Sequence, residues 1–411
     1  MYLLLSIISI LLAVQGVYRS FKKKNMIIFI WLIVFYYTIT SLVAALFPGS
    51  SITNVQYVST ETKTIYMWSV LLCVAGFTIS DLLFNKKKKN PISLGNLNDD
   101  RKILTTLEVV YWISLIITFS VLNDIDYVEY NTNNKGGGWA QCFFQLSACV
   151  NFVFIYKKEY IKLFISLLLV LAIVAFIHVR SFLFFPLMPI VFYLLYKGVN
   201  NIKNFKGFAI KAVPMVIILF LFAAVMGIMR FGKISLPETE LTEIAFASLD
   251  DWSFGRQYVA SIAHYIYRFL GLFINILSHL GINTSNPLDF YPSVPRLNAM
   301  ILSNVSDASM LENASHMPAT IFFDLYISWG YYCGLVAIGV YWFFIKVFDL
   351  LQRDLFTLVL FSPIMGWHFY MLLRGAVDTC SAGINYAFWM ALVVLIIRNW
   401  TKSKSLSKAT I

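Results

Sequence analysis

The sequence predicts an all-α polytopic membrane protein with about 11 transmembrane helices and a large extramembrane loop in its C-terminal half. Of its 411 residues 59% are hydrophobic and only 13% are charged, whereas soluble domains carry about 25% charged residues. The apolar residues form continuous blocks of about 20 residues, which is the length that crosses a bilayer as a helix. Lysines cluster in the short loops between these blocks, which indicates alternating topology and not nucleic-acid binding.

The basic loops also predict the orientation of the chain. The first apolar block is followed by Arg19, Lys22, Lys23 and Lys24, so the positive-inside rule places the N-terminus outside. The predicted spans are residues 1–17, 26–47, 65–84, 103–122, 139–156, 161–178, 182–196, 208–229, 318–344, 356–373 and 383–397. An odd number of crossings leaves the basic C-terminal tail inside.

Three regions follow from this layout: eight helices in residues 1–229, a large outer loop in 230–317, and three helices with a tail in 318–411. Within the loop, polar residues recur every three or four positions between Arg256 and Ser278, with His264 and Arg268 on the same stripe. This pattern predicts an amphipathic helix lying on the outer interface. Its stripe either lines a cavity above the membrane or belongs to a lid without ligand contacts.

The basic residues differ between the two faces. The inner loops contain mostly lysine, whereas arginine is the commoner basic residue outside, at Arg180, Arg230, Arg256, Arg268, Arg296 and Arg374. Arginine binds phosphate through two parallel hydrogen bonds, so this asymmetry favours a phosphate-bearing ligand. The alternatives are an Arg180 that extends to lipid headgroups and an Arg374 paired with Asp378 at helical spacing.

Histidines mark the same face. All five are predicted to lie at or near it, with His368 the deepest: His178, His264, His279, His316 and His368. His316 is the main candidate base, because Pro318 favours a helix start just after it. The positive end of a helix disfavours protonation and leaves a neutral imidazole. A helix-capping or interfacial histidine is the alternative.

No metal or cofactor is expected. The pairs Asp124 with Asp126 and Asp250 with Asp251 could hold Mg²⁺ with a diphosphate, but no third ligand is suitably spaced. The chain has no P-loop, no GxGxxG motif and no HExxH motif. A reaction outside the membrane would therefore use a substrate that is already activated.

The layout and three local patterns resemble the Wzy-type O-antigen or capsule oligosaccharide repeat-unit polymerases. The patterns are HVRS at residues 178–181, ASHMP at 314–318 followed by Gly330 and Gly334, and RG at 374–375. The second is also similar to the O-antigen ligases, in which a periplasmic histidine precedes a helix and is the proposed catalytic residue. Here Met317 and Pro318 follow the histidine, where ligases typically have asparagine.

The resemblance implies a bacterial inner-membrane enzyme with a periplasmic N-terminus and loop and a cytoplasmic C-terminus. Its substrate would be an undecaprenyl diphosphate-linked glycan, whose lipid diphosphate leaving group makes a cofactor unnecessary. His316 would deprotonate or orient the attacking sugar hydroxyl. The substrate-binding set would be Arg180, Arg230, Arg256, Arg268, Arg374 and His264. The expected partners are the bilayer and, in the same pathway, a chain-length regulator and a flippase, with no nucleic acid.

Three other functions stay open on the sequence. One is the ligase, which attaches the finished glycan to another acceptor. A second is a lipid-linked oligosaccharide flippase or other transporter, disfavoured by the expectation that the helices before Arg230 are nearly free of buried charge. The third is a metal-dependent glycosyltransferase using a polyprenyl phosphate sugar, with Asp124 and Asp126 as the metal ligands.

Overall fold

The computed structural model describes residues 1–46, 60–86, 101–122, 137–177, 184–200 and 320–352, with short pieces between 356 and 399. Every regular element in these ranges is helical, so the all-α prediction is confirmed for them. The helices are α1 Tyr2–Lys22, α2 Ile28–Leu46, α3 Thr60–Phe84, α4 Arg101–Leu122, α5 Gly137–Lys157, α6 Tyr160–Ile177, α7 Phe184–Asn200, α8 Ile321–Trp329 and α9 Cys333–Leu351.

Four described segments are long and apolar enough to cross a membrane: Tyr2–Lys22, Tyr66–Phe84, Ile103–Ser120 and Gly330–Leu351. Three shorter apolar segments accompany them, Ile28–Ile39, Tyr160–Ala175 and Leu187–Tyr196. These segments support the membrane class. The predicted span 208–229 and the loop 230–317 lie outside the described residues, so the total of about 11 spans stays a prediction.

The chain divides into two compact units. The first comprises Met1–Lys89, Leu236–Phe348 and His368–Asn385, and its described part contains α1, α2, α3, α8 and most of α9. The second comprises Asn90–Ser235, Asp349–Trp367 and Tyr386–Ile411, and its described part contains α4 to α7.

Helix directions in the first unit follow from its contacts. The α1–α2 connection is a tight turn in which Lys24 has a φ of 54°. Gly16 of α1 packs against the Trp31 ring, so the two helices are antiparallel. Arg19 and Asp81 pair near the C-terminal ends of α1 and α3, so these two helices run in the same direction. This alternation agrees with the directions predicted from the basic loops.

The second unit shows the same agreement. Glu108 and Tyr111 of α4 bond Lys162 and Ser166 of α6 in ascending order, so α4 and α6 are parallel. Asn151 of α5 bonds Ser166, across a turn that joins α5 to α6, which makes those two helices antiparallel. Both relationships are those that the predicted spans require.

The predicted continuous helix over residues 318–344 is wrong. The chain forms α8, a short 3₁₀ turn over Gly330–Tyr332, and then α9. Gly330 has φ 56° and ψ −136°, a conformation that side chains disfavour and glycine adopts easily. The Phe322 carbonyl lies 3.9 Å from the Cys73 thiol, and the Cys333 side chain lies beside that of Cys73. Since both helix starts lie beside one point of α3, α8 does not continue straight into α9.

α3 and α9 touch through their backbones. A Cβ placed on Gly76 would overlap the carbonyl oxygen of Gly334, and one placed on Gly334 would lie 3.0 Å from the Leu72 carbonyl oxygen. Small residues permit such close approach between membrane helices, where van der Waals packing holds helices together. Since Tyr341 further along α9 reaches Asp81 further along α3, the two helices run parallel.

We expect Gly76→Ala to lower the free energy of unfolding by about 1–3 kcal/mol, because α3 and α9 must separate to admit the methyl group. Thermal unfolding of the purified protein in detergent measures the effect. Gly339→Ala is the matched control, because a Cβ on that α9 glycine meets no atom within 4 Å. Equal melting temperatures for the two variants would contradict the backbone contact.

Candidate functional site

The residues predicted to form the site lie outside the described ranges. They are His316, Arg180, Arg230, Arg256, Arg268, Arg374 and His264, and the acidic pairs of residues 124, 126, 250 and 251 lie outside as well. Within the described ranges, no group of three His, Cys, Asp or Glu residues could hold a metal ion. The structure therefore describes only the helices that adjoin the predicted site residues in the sequence.

The helix predicted to follow His316 is present. It begins at Ile321, with Thr320 as the N-cap residue in an extended conformation of φ −62° and ψ 150°. The hydroxyl groups of Thr320 and Tyr66 lie 3.4 Å apart, which joins the start of α8 to α3. The start of α8 thus lies three residues beyond Pro318, where the proline pattern predicts it, and five residues beyond His316 in the sequence.

Gly330 and Gly334, the two glycines that follow the ASHMP pattern, each have a structural role. Gly330 breaks the chain between α8 and α9, and Gly334 permits the close contact with α3. Neither role was part of the sequence prediction. The helix break leaves the start of α8, with Thr320 and Phe322, against the first half of α3.

The clearest polar site in the described part is a cluster that sequence reasoning missed, centred on Asp81. This carboxylate is fully buried in α3. Arg19 donates to Oδ2 at 2.9 Å, Lys23 lies 3.6 Å from the same oxygen, and Lys23 also donates to the Asp81 carbonyl at 3.0 Å. Asn85 and Tyr341 donate to Oδ1 at 2.7 and 3.3 Å. The cluster therefore fastens α1, α3 and α9 together.

This cluster corrects the expectation that the helices before Arg230 are nearly free of buried charge. Asp81 is an ionisable group inside the helical core, and its surroundings compensate its charge with two cations and two neutral donors. Burial lowers the pKa of Lys23 from its ordinary value, an effect that attraction to the Asp81 carboxylate opposes. The Arg19 Nη2 atom is buried without a hydrogen-bond partner in the described part of the chain.

A second polar cluster joins α4, α5 and α6. Lys162 bonds Glu108 at 2.7 Å and lies 3.1 Å from Glu159. Deeper in the same helices, the Tyr111 and Ser166 hydroxyl groups lie 2.5 Å apart, and Ser166 donates to Asn151 at 2.6 Å. Apart from the two ion pairs of Lys162 at its end, this cluster consists of neutral side chains. It can hold three helices together by hydrogen bonds between them.

His368 does not lie where the sequence prediction put it. Its side chain is buried, and the neighbouring Phe369 packs against Phe344 and Phe348, with ring centroids 4.7 and 5.5 Å apart. Those two residues lie in the half of α9 that leads to Leu351, which is the predicted inner half. This position argues against His368 as a member of an outer histidine group.

These elements define the class of the chain as a helical membrane protein with a buried ionic cluster in its first unit. Comparison with protein-family models, with curated proteins and with solved structures found no match to the chain.

Proposed function

We propose that the chain polymerises undecaprenyl diphosphate-linked oligosaccharide repeat units at the periplasmic face of the bacterial inner membrane, for O-antigen or capsule synthesis. The observation that supports the proposal most is that a helix, α8, begins at Ile321, five residues after His316 in the sequence. The arginines of the predicted outer face, Arg180 and Arg374 among them, supply the complementary phosphate chemistry.

The proposed reaction is a glycosyl transfer between two lipid-linked glycans. A sugar hydroxyl of the next unit attacks the anomeric carbon of the growing chain, and His316 takes the hydroxyl proton. The bond between that carbon and the diphosphate oxygen breaks, and undecaprenyl diphosphate leaves with the electron pair. Arginine side chains stabilise the charge that develops on the diphosphate. No nucleotide is consumed, because the diphosphate bond already carries the activation.

The glycan on the cell surface tests this proposal against its nearest alternatives. In a deletion strain, a polymerase defect leaves a single repeat unit on the surface, whereas a ligase or flippase defect leaves none. A complete loss of surface glycan would therefore refute polymerase activity and favour ligation or flipping.

Arg180→Ala is expected to remove long glycan chains in the complemented deletion strain while the protein stays in the membrane. Its guanidinium is proposed to bind the diphosphate, so its loss removes charge stabilisation in the transition state. Gel banding of the extracted glycan, with immunoblotting of the membrane fraction, measures both properties. Arg101→Gln is the matched control, because Arg101 is an exposed arginine at the start of α4, on the predicted inner face. Wild-type chain length in Arg180→Ala would count against the role of this residue.

One observation favours transport as a second candidate. Ionisable residues inside membrane helices are expected where substrates or ions cross, and Asp81 is such a residue. However, Asp81 and Arg19 lie close to the ends of α3 and α1, at Phe84 and Lys22, and transporter sites are expected near the bilayer midplane. Asp81→Asn separates the two functions. Loss of lipid-linked glycan translocation in a folded variant would favour the flippase, and retention favours the polymerase.

A further inference from the structure

The turn between α1 and α2 concentrates positive charge. Arg19, Lys22, Lys23 and Lys24 lie there, and Asp81 is the carboxylate that pairs with them, which leaves a net charge of +3. Arg19 and Lys23 are directed inward to Asp81 and keep a net charge of +1 with it, while Lys22 and Lys24 carry the other two positive charges. Both of these side chains are exposed, and neither makes a hydrogen bond or ion pair in the described part of the chain.

The turn holds these lysines in a fixed arrangement. The Lys23 and Asn25 amides donate to the Arg19 and Ser20 carbonyls at 2.9 and 3.1 Å, across the left-handed Lys24. The buried Asn25 side chain then donates to Asn85 at 2.9 Å. A partner therefore meets cations whose backbone positions are already fixed, which reduces the entropy lost on binding.

The surface of α1 that leads to this turn is apolar. Its exposed residues include Leu4, Leu11, Val14 and Tyr18, and Tyr18 directly precedes the basic residues. An apolar helix surface that ends in exposed cations fits a ligand with hydrocarbon chains and an anionic headgroup. Clusters of basic residues on the cytoplasmic side of a membrane helix attract such lipids.

We propose that the α1–α2 turn is a binding site for an anionic phospholipid, in which Lys22 and Lys24 bind the headgroup phosphate and the α1 surface contacts the acyl chains. The predicted orientation places this site in the cytoplasmic leaflet. The site is separate from the proposed polymerase site on the other face, so neither proposal depends on the other.

The turn between α5 and α6 provides an internal comparison for the α1–α2 turn. The α5–α6 turn also has a left-handed lysine, Lys158 with φ 62°, and carries Lys157 and Lys162. There Glu108 and Glu159 both pair with Lys162, so the net charge is only +1. Two turns of similar backbone geometry thus differ mainly in charge, and the proposal requires the lipid to prefer the α1–α2 turn.

Native mass spectrometry of the full-length protein in detergent tests the site. The protein is titrated with dioleoylphosphatidylglycerol, and with dioleoylphosphatidylcholine as the neutral comparison. The double variant Lys22→Gln/Lys24→Gln should bind the first phosphatidylglycerol about 30-fold more weakly than the wild type. Lys157→Gln/Lys158→Gln should change it by less than about threefold. Lys22→Gln alone, which leaves the left-handed residue in place, should weaken binding about fivefold.

The other outcomes overturn the proposal. Equal losses in the two double variants would mean that the lipid responds to total charge and not to this turn. Equal affinity for phosphatidylcholine would remove the role of the anionic headgroup. Displacement of the lipid by millimolar inorganic phosphate would indicate a site for a free anion. Retained phosphatidylglycerol binding in the Lys22→Gln/Lys24→Gln variant would exclude the two lysines.

Discussion

Replacing Asp81 with alanine is expected to lower the free energy of unfolding of the first unit by about 3–5 kcal/mol. The substitution leaves Arg19, with 13% of its side chain exposed, beside a cavity in place of a carboxylate. It also removes the acceptor for Tyr341 and Asn85. Removing one partner of a buried ion pair costs more than the pair contributes, because the remaining charge stays desolvated.

Thermal and denaturant unfolding in detergent measure the change, and a second substitution tests its cause. Arg19→Met/Asp81→Ala removes both charges of the closest pair and leaves Lys23, so it should recover part of the stability that Asp81→Ala loses. Asp81→Asn should be milder than Asp81→Ala, because an amide still occupies the space and accepts hydrogen bonds. If the double variant were as unstable as the sum of its single variants, desolvated charge would not be the cause.

Replacing His316 with alanine is expected to lower the rate of glycan polymerisation by about 10²–10⁴-fold, the usual contribution of a general base. Polymer length and rate can be measured with purified protein and lipid-linked repeat units. His279→Ala is the matched control, because it removes another histidine of the predicted outer loop that has no proposed role. Unchanged polymerisation by His316→Ala would refute the assignment of this residue.

A glutamine at the same position separates two roles for His316. A glutamine side chain can accept a hydrogen bond from the sugar hydroxyl but cannot take its proton at neutral pH. His316→Gln should therefore be as inactive as His316→Ala if the residue is a base. If it only orients the hydroxyl, His316→Gln should retain most of the activity.

The sequence predicted α2 and α4 well because the bilayer fixes the length and composition of a helix that crosses it. The predicted spans 103–122 and 26–47 differ by no more than two residues at either end from α4 Arg101–Leu122 and α2 Ile28–Leu46. The predicted relative directions of the helices also agree with the structure, because lysine-rich loops indicate which helix ends lie on the same side of the membrane. The apolar run of a span and the lysines of a loop can each be recognised within a short stretch of sequence.

The features that the sequence did not predict depend on contacts between distant segments. A single aspartate near the end of an apolar block looks interfacial, and nothing in its neighbourhood indicates that Arg19 and Tyr341 will meet it. The break at Gly330 was missed because the apolar pattern continues across it, and one glycine in such a run is a weak signal. For the proposed site, only the helix start after His316 could be compared with the structure.

The Asp81 cluster has a consequence for biosynthesis. During synthesis α1 enters the membrane before α3, so Arg19 and Lys23 are already present when the Asp81 carboxylate must leave water. A charged group is costly to insert alone and less costly beside its counter-ions. Tyr341 is made much later and completes the arrangement. We therefore expect the first three helices to insert as a unit that supplies its own neutralising charge, and α9 to pack onto this unit afterwards.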